Sequence, residues 1–180
     1  DVIMIGEIRD RNTMKQAIAY AETGHLCLST LHANNANQAM ERVINFFPEE
    51  AHRQLLVDLS LNLAGVVSQR LIPGLHEKLV PAVEVMLNSS YISDLITKGE
   101  FSGIKEAMAR STEIGMCTFD QALYQLYTED RISLDEALHN ADSRTDLALR
   151  IRLAAGVSTQ DAGDLSIDTS SPIQSAARLA

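Results

Sequence analysis

Glu7, Thr30 and His32, with Arg9 beside the acid, are side chains whose types could do chemistry together. A carboxylate can orient or deprotonate a water molecule, and a histidine and a hydroxyl can donate hydrogen bonds to an anion. That set suits phosphoryl transfer, which asks for positioning and charge stabilisation and can use a single Glu to orient the attacking water. His32 has an equally ordinary use as a loop or helix-cap residue, and Glu7 as a charge that follows a core strand into solvent. The elements between these residues decide whether they meet.

Residues 2–5 are wholly apolar and too few for a helix, which predicts a short strand buried on both faces. It runs into Gly6, Glu7 and the pair Arg9-Asp10. Residues 12–22 place Met14, Ala17, Ile18 and Ala21 at helical spacing, with Gly24 where a helix C-cap belongs. A second strand follows from His25 through Leu28 and leads to Thr30 and His32. Strand, helix and strand in this order predict a right-handed βαβ unit with parallel strands. Ligands in such sheets sit beyond the carboxyl ends of the strands, so Glu7 should converge there with Thr30 and His32. His25 opens the second strand and belongs at the opposite edge, roughly 20 Å from His32 at about 3.3 Å per residue. That separation does not suit a zinc site shared by the two histidines. No metal-ligating residue is assigned. Cys27, in the middle of a strand, is poorly placed to act as a nucleophile.

Further along, residues 34–47 predict a helix with an Asn cap. Pro48-Glu49-Glu50 restarts a helix that is expected to run to about Gln69, apolar nearly all round and deeply buried from Leu55 to Val67. Residues 70–73 and 79–87 read as strands joined by a turn over residues 74–78. After Asn88 the chain becomes a string of helices: Ser89 or Ser90 to Lys98 with Gly99 at its end, residues 100–113, 118–128, 133–140 and 143–153. Ser133 and Glu136 have capping-box spacing. From about residue 154 the sequence is rich in Ser, Asp, Thr, Ala and Gly, and disorder is expected. The division predicted is residues 1–88 as an α/β part with a parallel sheet, 89–153 as a helical part, and 154–180 as a tail.

Composition narrows the classes further. A net charge of −9 in 180 residues argues against a nucleic-acid grip. Two cysteines without metal spacing read as reduced. No apolar run approaches a membrane span, no secretory leader is visible, and a chain opening on Asp1 directly at a strand reads as a fragment.

The run V-I-M-I-G-E-I-R-D resembles the Walker B segment of secretion-type hexameric ATPases, and T-G-H-L-C-L-S-T-L-H-A-N-N-A resembles their histidine box. The two stand in the right order and at the right separation. I-S-D-L-I-T-K-G-E, I-K-E-A-M, G-M-C-T-F-D-Q-A-L-Y-Q-L-Y and the D-S-R-T-D-L segment are similar to the type IV pilus retraction ATPases of the PilT/PilU kind, nearer PilU, over roughly residues 1–153. The resemblance implies the C-terminal half of a RecA-like P-loop ATPase core followed by a helical bundle. It implies Glu7 as the catalytic glutamate, Arg9, Thr30 and His32 near the nucleotide, and His25 in interdomain or intersubunit contacts. ATP and magnesium are implied, as are a homo-hexamer, an inner-membrane pilus platform protein as partner, room for a second pilus retraction ATPase, and a cytoplasmic place at the pilus base.

The departures from that pattern carry information too. Many P-loop enzymes place Asp before the catalytic acid, where this chain has Gly6. No Gly is followed by Lys, so the phosphate-cradling G-x-x-x-x-G-K-S/T loop is not in this chain. It is expected upstream, and the chain alone should not turn over ATP. Where retraction motors carry A-I-R-N-L-I-R-E, residues 91–98 keep the apolar face and lose the basic residues. The alternatives are a type II secretion or pilus assembly ATPase, disfavoured because the short turn after Arg70-Leu71-Ile72 carries no cysteine, and a non-catalytic interaction module of a motor ring.

Overall fold

The computed structural model describes residues 1–156. The chain opens with β1 (Val2–Glu7), α1 (Arg11–Glu22) and β2 (Leu26–Thr30), and β1 and β2 pair in parallel with Val2 opposite Leu26. The βαβ expectation therefore holds. Asp10 starts α1 by accepting the Thr13 N–H at 2.9 Å. Gly24, at a φ of 85°, ends it: its N–H donates to the Ala21 carbonyl while His25 N–H reaches back to Tyr20. That pair of bonds is a Schellman closure, which needs the left-handed conformation that glycine adopts without strain. One face of the pair is not buried as expected. Val2 and Met4 are 62% and 78% exposed, and Leu26 and Leu28 stand open on the same two strands. Among the described residues the sheet has just these two strands, and nothing covers that face.

Next come α2 (Ala36–Asn45), capped by Asn35, and α3 (Glu49–Asn62), with Pro48 and two acids at its start. The expectation that this helix continues to Gln69 fails. It stops at Asn62, and residues Gly65–Pro73 form β3, paired antiparallel with β4 (Leu79–Leu87). Nor is the run uniformly buried, since Leu61 and Val67 lie open to solvent. Gly65 disfavours helix, the β-branched Val66-Val67 favour strand, and hydrogen bonding to β4 fixes the choice. A Cβ on Gly65 would come within 2.7 Å of the Met86 carbonyl oxygen, so the close approach of β4 requires glycine there.

The helices after β4 are α4 (Ser90–Lys98), α5 (Ile104–Ala109), α6 (Phe119–Thr128), α7 (Leu134–Asn140) and α8 (Arg144–Ala154). The helix expected over 100–113 is broken into α5 and two flanking 3-10 turns, Phe101–Gly103 and Thr112–Ile114. Gly103 lowers helix propensity at its start and packs closely on Leu95. α6 has a full capping box between Thr118 and Gln121. At α7 half of the expected box forms: Glu136 N–H donates to Ser133 Oγ, but the Glu136 carboxylate accepts from Asn140 instead. Apart from the end of α8 at Ala154 and the two residues after it, the expected tail lies outside the described residues.

Two apolar clusters hold these elements. In the first, Ile8, Met14, Ile18, Met40 and Leu59 meet Ile92 and Met108 from α4 and α5. In the second, Ile72, Val80 and Ala82 of the hairpin meet Phe119, Leu123 and Leu147. The buried face of β4 serves both, with Val80 and Ala82 in one cluster and Met86 in the other. Between them on that face stands Glu84, 3% exposed.

Candidate functional site

Parallel pairing brings the carboxyl ends of β1 and β2 to one edge, and a bulge adjusts what arrives there. Ile5 pairs with Ser29 and Glu7 with Thr30, leaving Gly6 as the extra residue. Thr30 braces the bulge: its hydroxyl donates to the Gly6 carbonyl at 2.6 Å, and its own carbonyl accepts the Ile8 N–H at 2.9 Å. The Thr30 proton is thus committed to the strand. A side chain at Gly6 would meet no atom of the chain within 4 Å.

Glu7 ends up between two donors. Its Oε2 accepts from Arg9 at 2.5 Å, and its Oε1 lies 3.1 Å from His32 Nε2. Its side chain is 21% exposed, whereas those of Arg9 and His32 are largely in solvent. The hydrogen bond from Arg9 holds the Glu7 carboxyl below the usual carboxylate range, against a smaller opposing effect of burial. The charges of Arg9, His32 and Arg42 add to the lowering. In return Glu7 raises the Arg9 guanidinium. Glu7 is therefore an ionised acceptor at neutral pH, beside donors that could face an anion.

The structure brings together Glu7, Arg9, Thr30 and His32. It does not bring His25, which precedes β2 at the other end of the strand with Nδ1 3.1 Å from Thr23 Oγ1. Cys27 lies mid-strand, and burial pushes its thiol up, away from the reactive thiolate. Sequence reasoning missed Arg42, a cation on α2 close enough to act on Glu7. It also missed Arg70 and Glu84, which hold the segment after His32. Glu84 accepts the Ala36 N–H, first in α2, at 2.7 Å, and its carboxyl faces the Phe119 backbone, first in α6. No local pattern marks these residues, because their partners lie 35 or more positions away in the chain.

The site is thus an ionised, doubly partnered Glu at the carboxyl edge of a parallel strand pair, with a histidine from the loop after the adjacent strand. The model of the type II/IV secretion system protein family matches residues 1–150, and the chain belongs to that family. It is 58% identical over 92% of its length to the type IV pilus ATPase PilU of Pseudomonas aeruginosa, covering 43% of that protein. It is 35% identical over 78% of its length to the type IV pilus retraction ATPase PilT of the same organism, covering 41% of it. A crystal structure of the pilus retraction motor PilT with bound ADP superposes with a TM-score of 0.75 at 34% identity, covering 83% of this chain and 42% of that one. The chain thus spans less than half the length of the relatives it matches. The α/β fold with a parallel sheet and following helices, and the PilT/PilU kinship, stand as read from the motifs.

Proposed function

We propose that this chain is the hydrolytic half of a hexameric motor ATPase that couples ATP hydrolysis to type IV pilus retraction. The observation that carries the reading is the convergence of Glu7, Arg9 and His32 at the carboxyl edge of the parallel pair. Glu7, ionised by its partners, orients a water molecule and takes its proton as the water oxygen bonds to the terminal phosphorus of ATP. The bond from that phosphorus to the bridging oxygen breaks, and ADP and phosphate leave. His32 and Arg9, exposed beside the acid, present donors to the phosphate oxygens. Thr30 keeps the bulge that aims Glu7. Magnesium, when bound with the nucleotide, neutralises phosphate charge. Glu7 with two cationic neighbours fits a water-orienting acid better than a ligand cage for that ion. The phosphate cradle comes from elsewhere in the parent protein, since this chain has no Gly-Lys pair.

The division at residues 88 and 89 follows the change from strand-bearing to all-helical chain, although α4 and α5 pack on the first cluster. The hairpin turn over residues 74–78 carries no cysteine, which favours the retraction branch over secretion and assembly motors. His25 serves contacts between domains or subunits. None of the described helices is long and apolar enough to cross a membrane. We place the parent at the cytoplasmic side of the pilus base, as a homo-hexamer against an inner-membrane platform protein and beside a second retraction ATPase.

The test is ATP turnover by the full-length parent, wild type beside Glu7→Gln. Loss of a catalytic acid–base group costs roughly 10²–10⁴-fold in rate. Equal turnover by both proteins refutes the assignment of Glu7. Absence of turnover in the wild type leaves the interaction-module reading.

A further inference from the structure

His32 reaches Glu7 from the loop over residues 31–35, and one long-range polar tie reaches this loop from the hairpin. Arg70, on β3, makes it. Its Nη2 donates to the Asn34 carbonyl at 3.3 Å and to Asp142 Oδ1 at 2.7 Å, and its Nη1 donates to the Asn140 carbonyl at 2.9 Å. The guanidinium carbon lies 3.9 Å from the centre of the Phe119 ring, which fixes its plane. Asp142 is itself held: its N–H donates to Asp120 Oδ1 at 2.8 Å, and its carboxylate faces Lys105, which also pairs with Asp120. Two positions past Asn34, Glu84 accepts the Ala36 N–H. The loop's local ties are Asn34 N–H donating to Gln38 and Asn35 capping α2.

We propose that Arg70 is a positioning residue for hydrolysis. Through Asn34 it fixes the loop that presents His32 to Glu7, and through Asp142 and Asn140 it ties that loop to the α7–α8 segment. The proposal rests on the reading of Glu7 as the hydrolytic acid. The geometry calls for arginine specifically: three acceptors in different directions are met by a planar fork of donors, whereas a lysine ammonium on a flexible stem holds one acceptor well and the others poorly.

The experiment uses the full-length parent, with Arg70→Lys made in the wild type and in His32→Ala. Misplacing a group near the reacting centre without removing it costs on the order of tenfold or more in rate. Arg70→Lys should therefore lower kcat about tenfold while KM for ATP stays within about twofold. In the His32→Ala background the same change should cost less than about twofold, because the two residues act through one contact. An equal loss in both backgrounds, or no loss in the wild type, overturns the proposal. Hydrogen exchange supplies a readout that needs no turnover. Peptides covering residues 31–38 should exchange faster in Arg70→Lys while those covering residues 2–8 do not change. Unchanged exchange over 31–38 also overturns it. Should the wild-type parent not hydrolyse ATP, the hydrolytic role of Arg70 falls with the functional reading. Faster exchange would then still mark Arg70 as the tie of this loop, so the two failures remain distinct.

Discussion

Removing the Glu84 side chain tests the joint between the two apolar clusters. Its carboxylate accepts the first N–H of α2 at Ala36, a residue 1% exposed, and faces the start of α6 at Phe119. In Glu84→Ala the Ala36 N–H loses its acceptor in a place water enters poorly. An orphaned buried group costs about 1–3 kcal/mol, less whatever the absent carboxyl no longer loses by desolvation, so a net loss of about 1–3 kcal/mol is expected. Glu84→Gln keeps an acceptor oxygen and should lose about 1 kcal/mol or less. The assay is the urea midpoint of unfolding at constant slope. A loss in Glu84→Ala no larger than in Glu84→Gln would refute the bridging role. Acidity gives a second signature. Burial holds the Glu84 carboxyl above the usual range, with the Asp142 charge adding to the rise. The folded protein therefore keeps a proton that the unfolded chain releases in the ordinary carboxylate range. Stability relative to Glu84→Gln should fall as pH rises from the ordinary carboxylate range through the raised folded pKa.

At the edge itself, Arg9→Leu removes the largest cause of the lowered Glu7 pKa. The acid limb of the kcat–pH profile should then move to higher pH, and an unmoved limb would show that Glu7 ionisation does not set it. The stability that Glu7 gains from its partners is present above its unfolded pKa and is lost as pH falls through the lower folded value. At the end of α4, Gly99 sits at a φ of 72° with only ordinary contact to Leu56. Gly99→Ala should cost about 1–2 kcal/mol in unfolding experiments through backbone strain alone, and no loss would contradict that account.

The βαβ unit and its edge were legible because each step is local. A helix-length periodic stretch between two short apolar runs leaves one parallel arrangement, and the arrangement alone brings Glu7 and His32 to one end. The stretch from Leu55 to Val67 was not legible, because an unbroken apolar run has no period to separate helix from strand. Gly65 and Val66-Val67 held the clue, but the pairing with β4 that decides the matter lies up to 22 residues away, at Leu87. β1 misled for another reason: apolar residues on both faces state what a strand is built to meet, and the described residues supply cover for one face. Arg70 and Glu84 look like ordinary charges in a strand until the fold places Asn34, Ala36 and Asp142 around them.

The open face of β1 gives the chain a built-in chemical reporter. Of its six methionines, Met14, Met40, Met86, Met108 and Met116 are buried, and Met4 alone is exposed. Thioether oxidation follows access, so brief peroxide treatment of this chain should add one oxygen at Met4 and spare the other five. In an assembly where other protein lies over β1 and β2, the same treatment should leave Met4 intact. Mass spectrometry of a single peptide then reads out whether that face is covered.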